Sequence, residues 1–180
     1  VHQSIGLKGI AMFGTEEQKA RFLPDLATGR KLAGYALTEP NAGSDAYHVE
    51  SRAVKQSDGS WVLNGEKRWI GNGCRGDVLV TFARAEVDGK DRHVALILEK
   101  GMEGLDQSGP RYKTLGLRGN HLCPVRFKDV RVPPENVLGE PGEGFAIAMQ
   151  ILNNGRMSLG TGSVGLAKRL LDLTIEHVQE

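Results

Sequence analysis

The chain has 180 residues, 23 Lys and Arg against 22 Asp and Glu, a formal net charge of +1 and 39% hydrophobic residues. That length buries a core without metals or disulfide staples, and the balanced charge argues against a nucleic-acid partner or a polybasic membrane surface. Two widely spaced cysteines, Cys74 and Cys123, suggest neither a disulfide framework nor a zinc site and fit a reducing compartment.

No apolar run approaches membrane-spanning length. The start, Val1-His2-Gln3-Ser4, has no charged region followed by an apolar one, so no targeting segment is expected. It also lacks an initiator Met, which suggests a piece of a longer protein.

Residues 1 to about 30 read as helical. Thr15 is a candidate N-cap with Gln18 as its capping-box partner, Pro24 predicts a stop or kink, and Gly29 fits the position just past a helix end. Residues 33 to about 138 read as β. Candidate strands are Ala33–Thr38, Tyr47–Val54, Trp61–Leu63 running on to Lys67, Val78–Ala85, His93–Leu98 and Pro124–Val132. Ser57-Asp58-Gly59, Asn64-Gly65 and Val87-Asp88-Gly89-Lys90 predict turns, Asn64-Gly65 being the stronger type I′ hairpin signal. Strands at this spacing without intervening helices predict an antiparallel sandwich or barrel. From about residue 142 the pattern returns to helix, with Phe145, Met149, Leu152, Leu166, Leu170 and Leu173 at helical spacing. The fold class expected is therefore α+β, a β domain flanked by helices.

Three segments invite a chemical reading. Gly160-Thr161-Gly162-Ser163-Val164-Gly165 matches a dinucleotide fingerprint, but it lies inside a predicted helix with no strand before it, so close helix packing is the better reading. In Tyr35–Ser44 a strand ends at Thr38, Pro40 forbids its continuation, and Asn41–Ser44 forms a small-residue loop. Alone this is an ordinary β-turn. It also suits a phosphate or a flat heteroaromatic ring, because free N–H groups and hydroxyls stand there without bulk. Trp69-Ile70-Gly71-Asn72-Gly73 places an aromatic beside a glycine loop, either a core Trp before a turn or a flat surface for a ring. His48, His93 and His121 are isolated, none spaced as a metal pair, and no metal site is expected.

Taken together, Tyr35-Ala36-Leu37-Thr38-Glu39-Pro40-Asn41-Ala42-Gly43-Ser44 and Asn64-Gly65-Glu66-Lys67-Arg68-Trp69-Ile70-Gly71-Asn72-Gly73 resemble the acyl-CoA dehydrogenase family. Gly14–Lys19 with Leu23-Pro24, Gly116–Gly119 and Val130–Gly139 agree in order, so the resemblance covers essentially the whole chain. Val1–Gly6 and Ile151–Arg156 resemble its very-long-chain branch, which includes a paralogue that assists assembly of respiratory complex I. The resemblance implies residues 1–32 as the end of an N-terminal helical domain, 33–138 as a middle β domain and 139–180 as the first helix of a C-terminal bundle.

It further implies FAD as cofactor, fatty acyl-CoA as substrate and electron-transferring flavoprotein as partner. The parent would be a homo-oligomer, cytoplasmic in a bacterium or mitochondrial in a eukaryote. Tyr35, Leu37, Thr38, Gly43, Ser44, Trp69, Ile70 and Gly71 would bind FAD, and Ser44, Asn153, Asn154 and Arg156 would meet the acyl-CoA. Many relatives carry Thr or Ser where this chain has Gly71, so only a backbone N–H is offered to flavin N5. In one branch the proton-abstracting carboxylate precedes the Arg on the first bundle helix. Here that position is Gly155, the alternative lies beyond Glu180, and no catalytic residue is assigned. Glu39 is expected to orient its loop. The implied activity is α,β-dehydrogenation of long-chain acyl-CoA in fatty acid β-oxidation. An acyl-CoA oxidase and a non-catalytic assembly protein of the same fold remain the alternatives.

Overall fold

The computed structural model describes residues 1–179. A π-helical turn (His2–Gly6) leads into helices α1 (Lys8–Phe13) and α2 (Glu16–Ala27). Strands β1 (Ala33–Ala36), β2 (Arg52–Lys55), β3 (Trp61–Gly71), β4 (Val78–Val87), β5 (Lys90–Glu99), β6 (Leu105–Asp106) and β7 (Leu122–Val132) follow, then helix α3 (Gly144–Gln179).

Helix α2 begins as its sequence specifies. The Gln18 N–H donates to Thr15 Oγ1 at 3.2 Å, and the Thr15 N–H donates to Gln18 Oε1 at 3.1 Å. The same Gln18 side chain donates from Nε2 to the carbonyls of Glu135 and Val137, at 2.9 and 2.7 Å, so one residue both caps α2 and ties it to the segment after β7. Pro24 does not end the helix, which runs on to Ala27. An internal proline costs about 3 kcal/mol, but Phe22 and Leu26 on either side are buried, and each buried side chain of that size contributes about 1.5–3 kcal/mol.

The seven strands form one open sheet with an unusual edge. β4 pairs antiparallel with β5 along its whole length, from Val78 opposite Glu99 to Val87 opposite Lys90. Asp88 and Gly89 close that hairpin, both with positive φ, as a type I′ turn requires. Along the other edge of β4, β1 pairs in parallel with the first half (Ala33 opposite Val78), and β2 joins farther on (Arg52 opposite Arg84). β1 and β2 thus lie nearly end to end, and the chain from Leu37 to Ser51 makes an excursion between them. β2, β3, β7 and β6 complete the order through antiparallel pairs. The sheet does not close into a barrel, and its two parallel contacts depart from the all-antiparallel expectation.

Alternating residues of β4 and β5 serve two cores. Val78, Val80, Phe82, Ala95 and Ile97 face α2 and the start of α3, while Leu79, Ala83, Val94, Leu96 and Leu98 face Trp61, Leu63, Val125 and Val130 of the bent-over sheet. Helix α3 sits close because Gly144 has no Cβ, which would stand 2.5 Å from the Val94 carbonyl carbon. Ile147, Ala148 and Ile151 are buried; farther along, Leu159, Leu166 and Leu170 are exposed. Gly160, Gly162 and Gly165 lie in the middle of this helix, which rules out the strand–turn–helix context of a dinucleotide fingerprint. Among the described residues no helix is long and apolar enough to cross a membrane.

Three expectations are corrected. Asn64-Gly65 is not a hairpin but lies within β3, where β7 carries an extra residue: Asn64 Nδ2 donates to Asp129 Oδ1 at 2.9 Å and Asn64 Oδ1 accepts from the Asp129 N–H at 2.8 Å. A bulge has taken the signal of a turn. The predicted strand at Tyr47 starts only at Arg52, because Ala46–His48 form a 3₁₀ turn inside the excursion. Cys74 and Cys123 are not free thiols: they form a disulfide, with Cα atoms 5.6 Å apart. Pairing of Ile70 with Cys123 across β3 and β7 brings the turn after β3 over Cys123, a juxtaposition that sequence spacing does not reveal.

Candidate functional site

The site begins with a proline. Pro124 in β7 has no N–H to offer β3, and opposite it β3 accommodates two residues, Arg68 and Trp69, between Lys67 (opposite Val125) and Ile70 (opposite Cys123). The bulge turns the Arg68 N–H away from β7, and it donates instead to the Thr38 carbonyl at 2.8 Å. Trp69 takes φ +57, a strained backbone for a bulky residue, and its ring stands half exposed against Tyr112, centroids 4.1 Å apart. A second device brings the two segments together: at Gly34 a Cβ would lie 2.9 Å from the Gly71 carbonyl oxygen, so glycine lets β1 and the end of β3 approach.

A buried ion pair holds the excursion. Lys67, fully buried on β3, donates from Nζ to Glu39 Oε1 at 2.6 Å and to the Leu37 carbonyl at 3.1 Å. Glu39 also accepts the N–H groups of Glu50 and Ser51. Burial alone would raise the Glu39 carboxyl; the Lys67 charge and these donors outweigh it and hold the group below the usual carboxylate range. Burial pushes Lys67 down to about 8, against the pull of Glu39, and the pair is ionised at neutral pH. Glu39 thus orients its loop from inside, and it does not line the cavity described next.

These constraints open a cavity of about 320 Å³ between the excursion, the end of β3 and α3. Tyr35, Leu37, Thr38, Gly43, Ser44, Trp69, Ile70 and Gly71, which the sequence drew from two separate segments, all line it, and Arg156 stands at its wall. Tyr35 is buried and donates from its hydroxyl to the Ala148 carbonyl at 3.1 Å, fixing α3 over β1; burial holds that hydroxyl protonated, well above its ordinary pKa. Among the described residues the N–H groups of Gly43 and Ser44 and the hydroxyls of Thr38 and Ser44 take no protein partner.

Asn153 and Asn154 stand outside the lining. Asn153 accepts from Arg156 Nη1 at 2.8 Å, and Asn154 donates to the Gln150 carbonyl at 3.2 Å. Sequence reasoning missed Met149 and Leu152, which the apolar spacing of α3 carries, and Leu122, which only its pairing with Gly71 reveals. It also missed Lys67, whose signal was a lysine on the same strand face as Trp61 and Leu63. The lining contains no carboxylate and no histidine. What the cavity offers is a flat aromatic edge, apolar walls, unpartnered donors and one guanidinium.

Comparison with known proteins accords with this arrangement. Family models of the acyl-CoA dehydrogenase N-terminal, middle and C-terminal domains match residues 1–30, 34–130 and 142–180. The human mitochondrial very long-chain specific acyl-CoA dehydrogenase is 42% identical over 98% of this chain and 28% of its own length. Two solved structures superpose closely. An acyl-CoA dehydrogenase from Bacillus anthracis complexed with FAD shows 46% identity and a TM-score of 0.86 over 93% of this chain and 28% of its own. Butyryl-CoA dehydrogenase from Megasphaera elsdenii shows 40% identity and a TM-score of 0.85 over 92% of this chain and 43% of its own. The chain therefore spans less than half the length of each of these relatives. With three consecutive domain models matched along its length and its fold shared with solved relatives, the chain belongs to the acyl-CoA dehydrogenase family.

Proposed function

We propose that this chain carries the flavin-facing wall of an FAD-dependent dehydrogenase acting on long-chain fatty acyl-CoA, with electron-transferring flavoprotein as the electron acceptor. The observation that supports this reading is the single cavity lined by all eight residues assigned to the flavin, from segments 25 or more positions apart. The residues fit the group. A flavin is flat, largely apolar and edged with acceptors, and the cavity supplies a Trp face, apolar walls and unpartnered N–H and O–H donors.

Bound FAD supplies the two-electron acceptor for α,β-dehydrogenation of the thioester. This chain's own residues do the holding. Leu37 and Thr38 would hold the pyrimidine edge through backbone and hydroxyl, Ser44 and Gly43 would offer donors toward phosphate, Trp69 would flank the ring, and Ile70 and Gly71 would contribute backbone amides. Arg156, fixed by Asn153, sets a positive charge where an anionic phosphate of the substrate or cofactor approaches. The Tyr35 hydroxyl, bonded to the Ala148 carbonyl, holds α3 against β1 beside the cavity. The α-proton requires a carboxylate within hydrogen-bond reach of the substrate, and with none in the lining we assign that base to a part of the parent protein outside these residues.

The test uses the parent protein purified with flavin. Long-chain acyl-CoA added anaerobically should bleach the flavin absorbance and yield enoyl-CoA, and electron-transferring flavoprotein should restore the colour. Flavin that stays oxidised with every acyl-CoA tried refutes the proposal.

A further inference from the structure

The Cys74–Cys123 bond occupies a place that matters to the cavity. Cys123 is buried on β7 opposite Ile70 and follows Leu122, which pairs with Gly71; Ile70, Gly71 and Leu122 all line the cavity. Cys74 lies in the turn just beyond Gly71 and is partly exposed. The disulfide therefore staples the far end of the Trp69–Gly71 wall to β7 at the point where the β3–β7 ladder ends. Besides backbone bonds within the turn and the pairing of Asp77 with Leu32 at its end, the turn is tied by side chains: Asn72 Nδ2 to the Ala33 carbonyl at 2.9 Å, and Gln107 Nε2 to the Gly73 and Gly76 carbonyls at 2.8 and 2.9 Å.

The surroundings of the bond are cationic. Arg75 is the next residue and is exposed, and desolvation first, then the charges of Arg75 and Arg111, disfavour the charged form of His121. None of Arg75, Arg111, Lys113 or Arg118 has an acidic partner among the described residues, and the last three line an open cavity with Tyr112, whose ring packs on Trp69. A partly exposed cysteine next to unpaired cations is the setting in which thiolates form and exchange readily.

We propose that Cys74 and Cys123 are a reversible dithiol–disulfide modification site that sets the rigidity of the cavity wall. The reductant is a vicinal dithiol. One of its thiolates attacks the accessible Cys74 sulfur, the Cys74–Cys123 bond breaks, and its electron pair leaves on the Cys123 sulfur, which takes up a proton. The second thiolate of the reductant attacks the mixed disulfide and releases Cys74. Two electrons and two protons pass to the protein, and the reductant ends as a cyclic disulfide. The opened form frees the turn from β7 and loosens Ile70, Gly71 and Trp69. Its consequence for flavin affinity rests on the function proposed above; its consequence for backbone mobility does not.

The parent protein is treated with dithiothreitol without denaturant. Free thiols are counted by alkylation and mass spectrometry, amide exchange is followed, and FAD is titrated by fluorescence. Both thiols should appear, with Cys74 trapped first in the mixed disulfide, and exchange across residues 70–76 and 122–123 should quicken about tenfold through local opening, while β4 and β5 quicken by no more than the fall in global stability measured by urea unfolding. The C74S/C123S variant should show the fast exchange without reductant and no response to it. Flavin binding, where measured, should weaken about fivefold on reduction in the wild type alone. Thiols released only after unfolding, or unchanged exchange in the reduced chain, overturns the proposal. Absence of flavin binding in both redox states instead refutes the cofactor reading and leaves the thiol and exchange results to decide this one.

Discussion

Replacing Lys67 by Met removes the only cation that, among the described residues, pairs with Glu39, a carboxylate itself 4% exposed. Two contacts go, to Glu39 Oε1 at 2.6 Å and to the Leu37 carbonyl at 3.1 Å. Glu39 keeps the N–H groups of Glu50 and Ser51 but loses its counter-charge. Breaking one side of such a buried pair costs about 3–5 kcal/mol, a large part of the ~5–15 kcal/mol that holds a domain folded.

The pH dependence gives the sharper test. In the wild type Glu39 titrates below its unfolded value of about 4.3, so its contribution is complete above that pH and is lost as pH falls through the lower folded value. In K67M the Lys67 charge and hydrogen bond are gone, the Glu50 and Ser51 donors offset only part of the burial, and the folded value should rise above the unfolded one. The penalty is then full at neutral pH and relieved as pH falls through the raised value. Lys67 titrates near 8, so below neutrality it is protonated folded and unfolded, and only the carboxylate moves. Urea unfolding followed by Trp fluorescence at pH 7 and pH 5 should show the gap between K67M and wild type narrowing with acid, and E39Q/K67M should recover all but about 2 kcal/mol at pH 7. A K67M loss under about 1 kcal/mol at pH 7, or a gap that does not close with acid, refutes the assignment of this pair as the clamp of the excursion.

T15A should cost about 1 kcal/mol as a lost N-cap, whereas Q18A should cost about 2 kcal/mol, because it also strands the part-buried carbonyls of Glu135 and Val137; denaturant midpoints of the two variants distinguish them. G34A places a Cβ 2.6 Å from Leu79 Cδ2 and 2.9 Å from the Gly71 carbonyl oxygen, so thermal melting should show a loss of about 1–3 kcal/mol. G43A meets nothing within 4 Å and should melt as wild type. C74S/C123S releases a long loop in the unfolded chain and should lower stability by about 4 kcal/mol on the chain-entropy account, measured by urea unfolding under non-reducing conditions.

Local chemistry made much of this molecule readable from its residues. Thr15 and Gln18 specify a helix start because both partners of the capping box lie within one turn. Asp88-Gly89 specifies a hairpin because its backbone demands are met by two adjacent residues. The two segments that line the cavity read by themselves as an ordinary turn and a core aromatic, and it is their joint family resemblance that marked them as a site. Asn64-Gly65 misled because the same dipeptide serves a turn or a strand that pairs across a bulge, and which one forms depends on Asp129, 65 positions away.

The sequence alone determined most of the elements and turns, which follow from spacing or a short motif, and through family resemblance it named eight of the residues that gather at the cavity. Only the tertiary structure decided how they meet. Pro124 forces the bulge that sends the Arg68 N–H to Thr38, Lys67 finds Glu39 inside the loop, and Cys74 comes to rest on Cys123. These are contacts between residues far apart in the chain, set by strand register and close packing, and no local pattern encodes a register until the partner strand is in place.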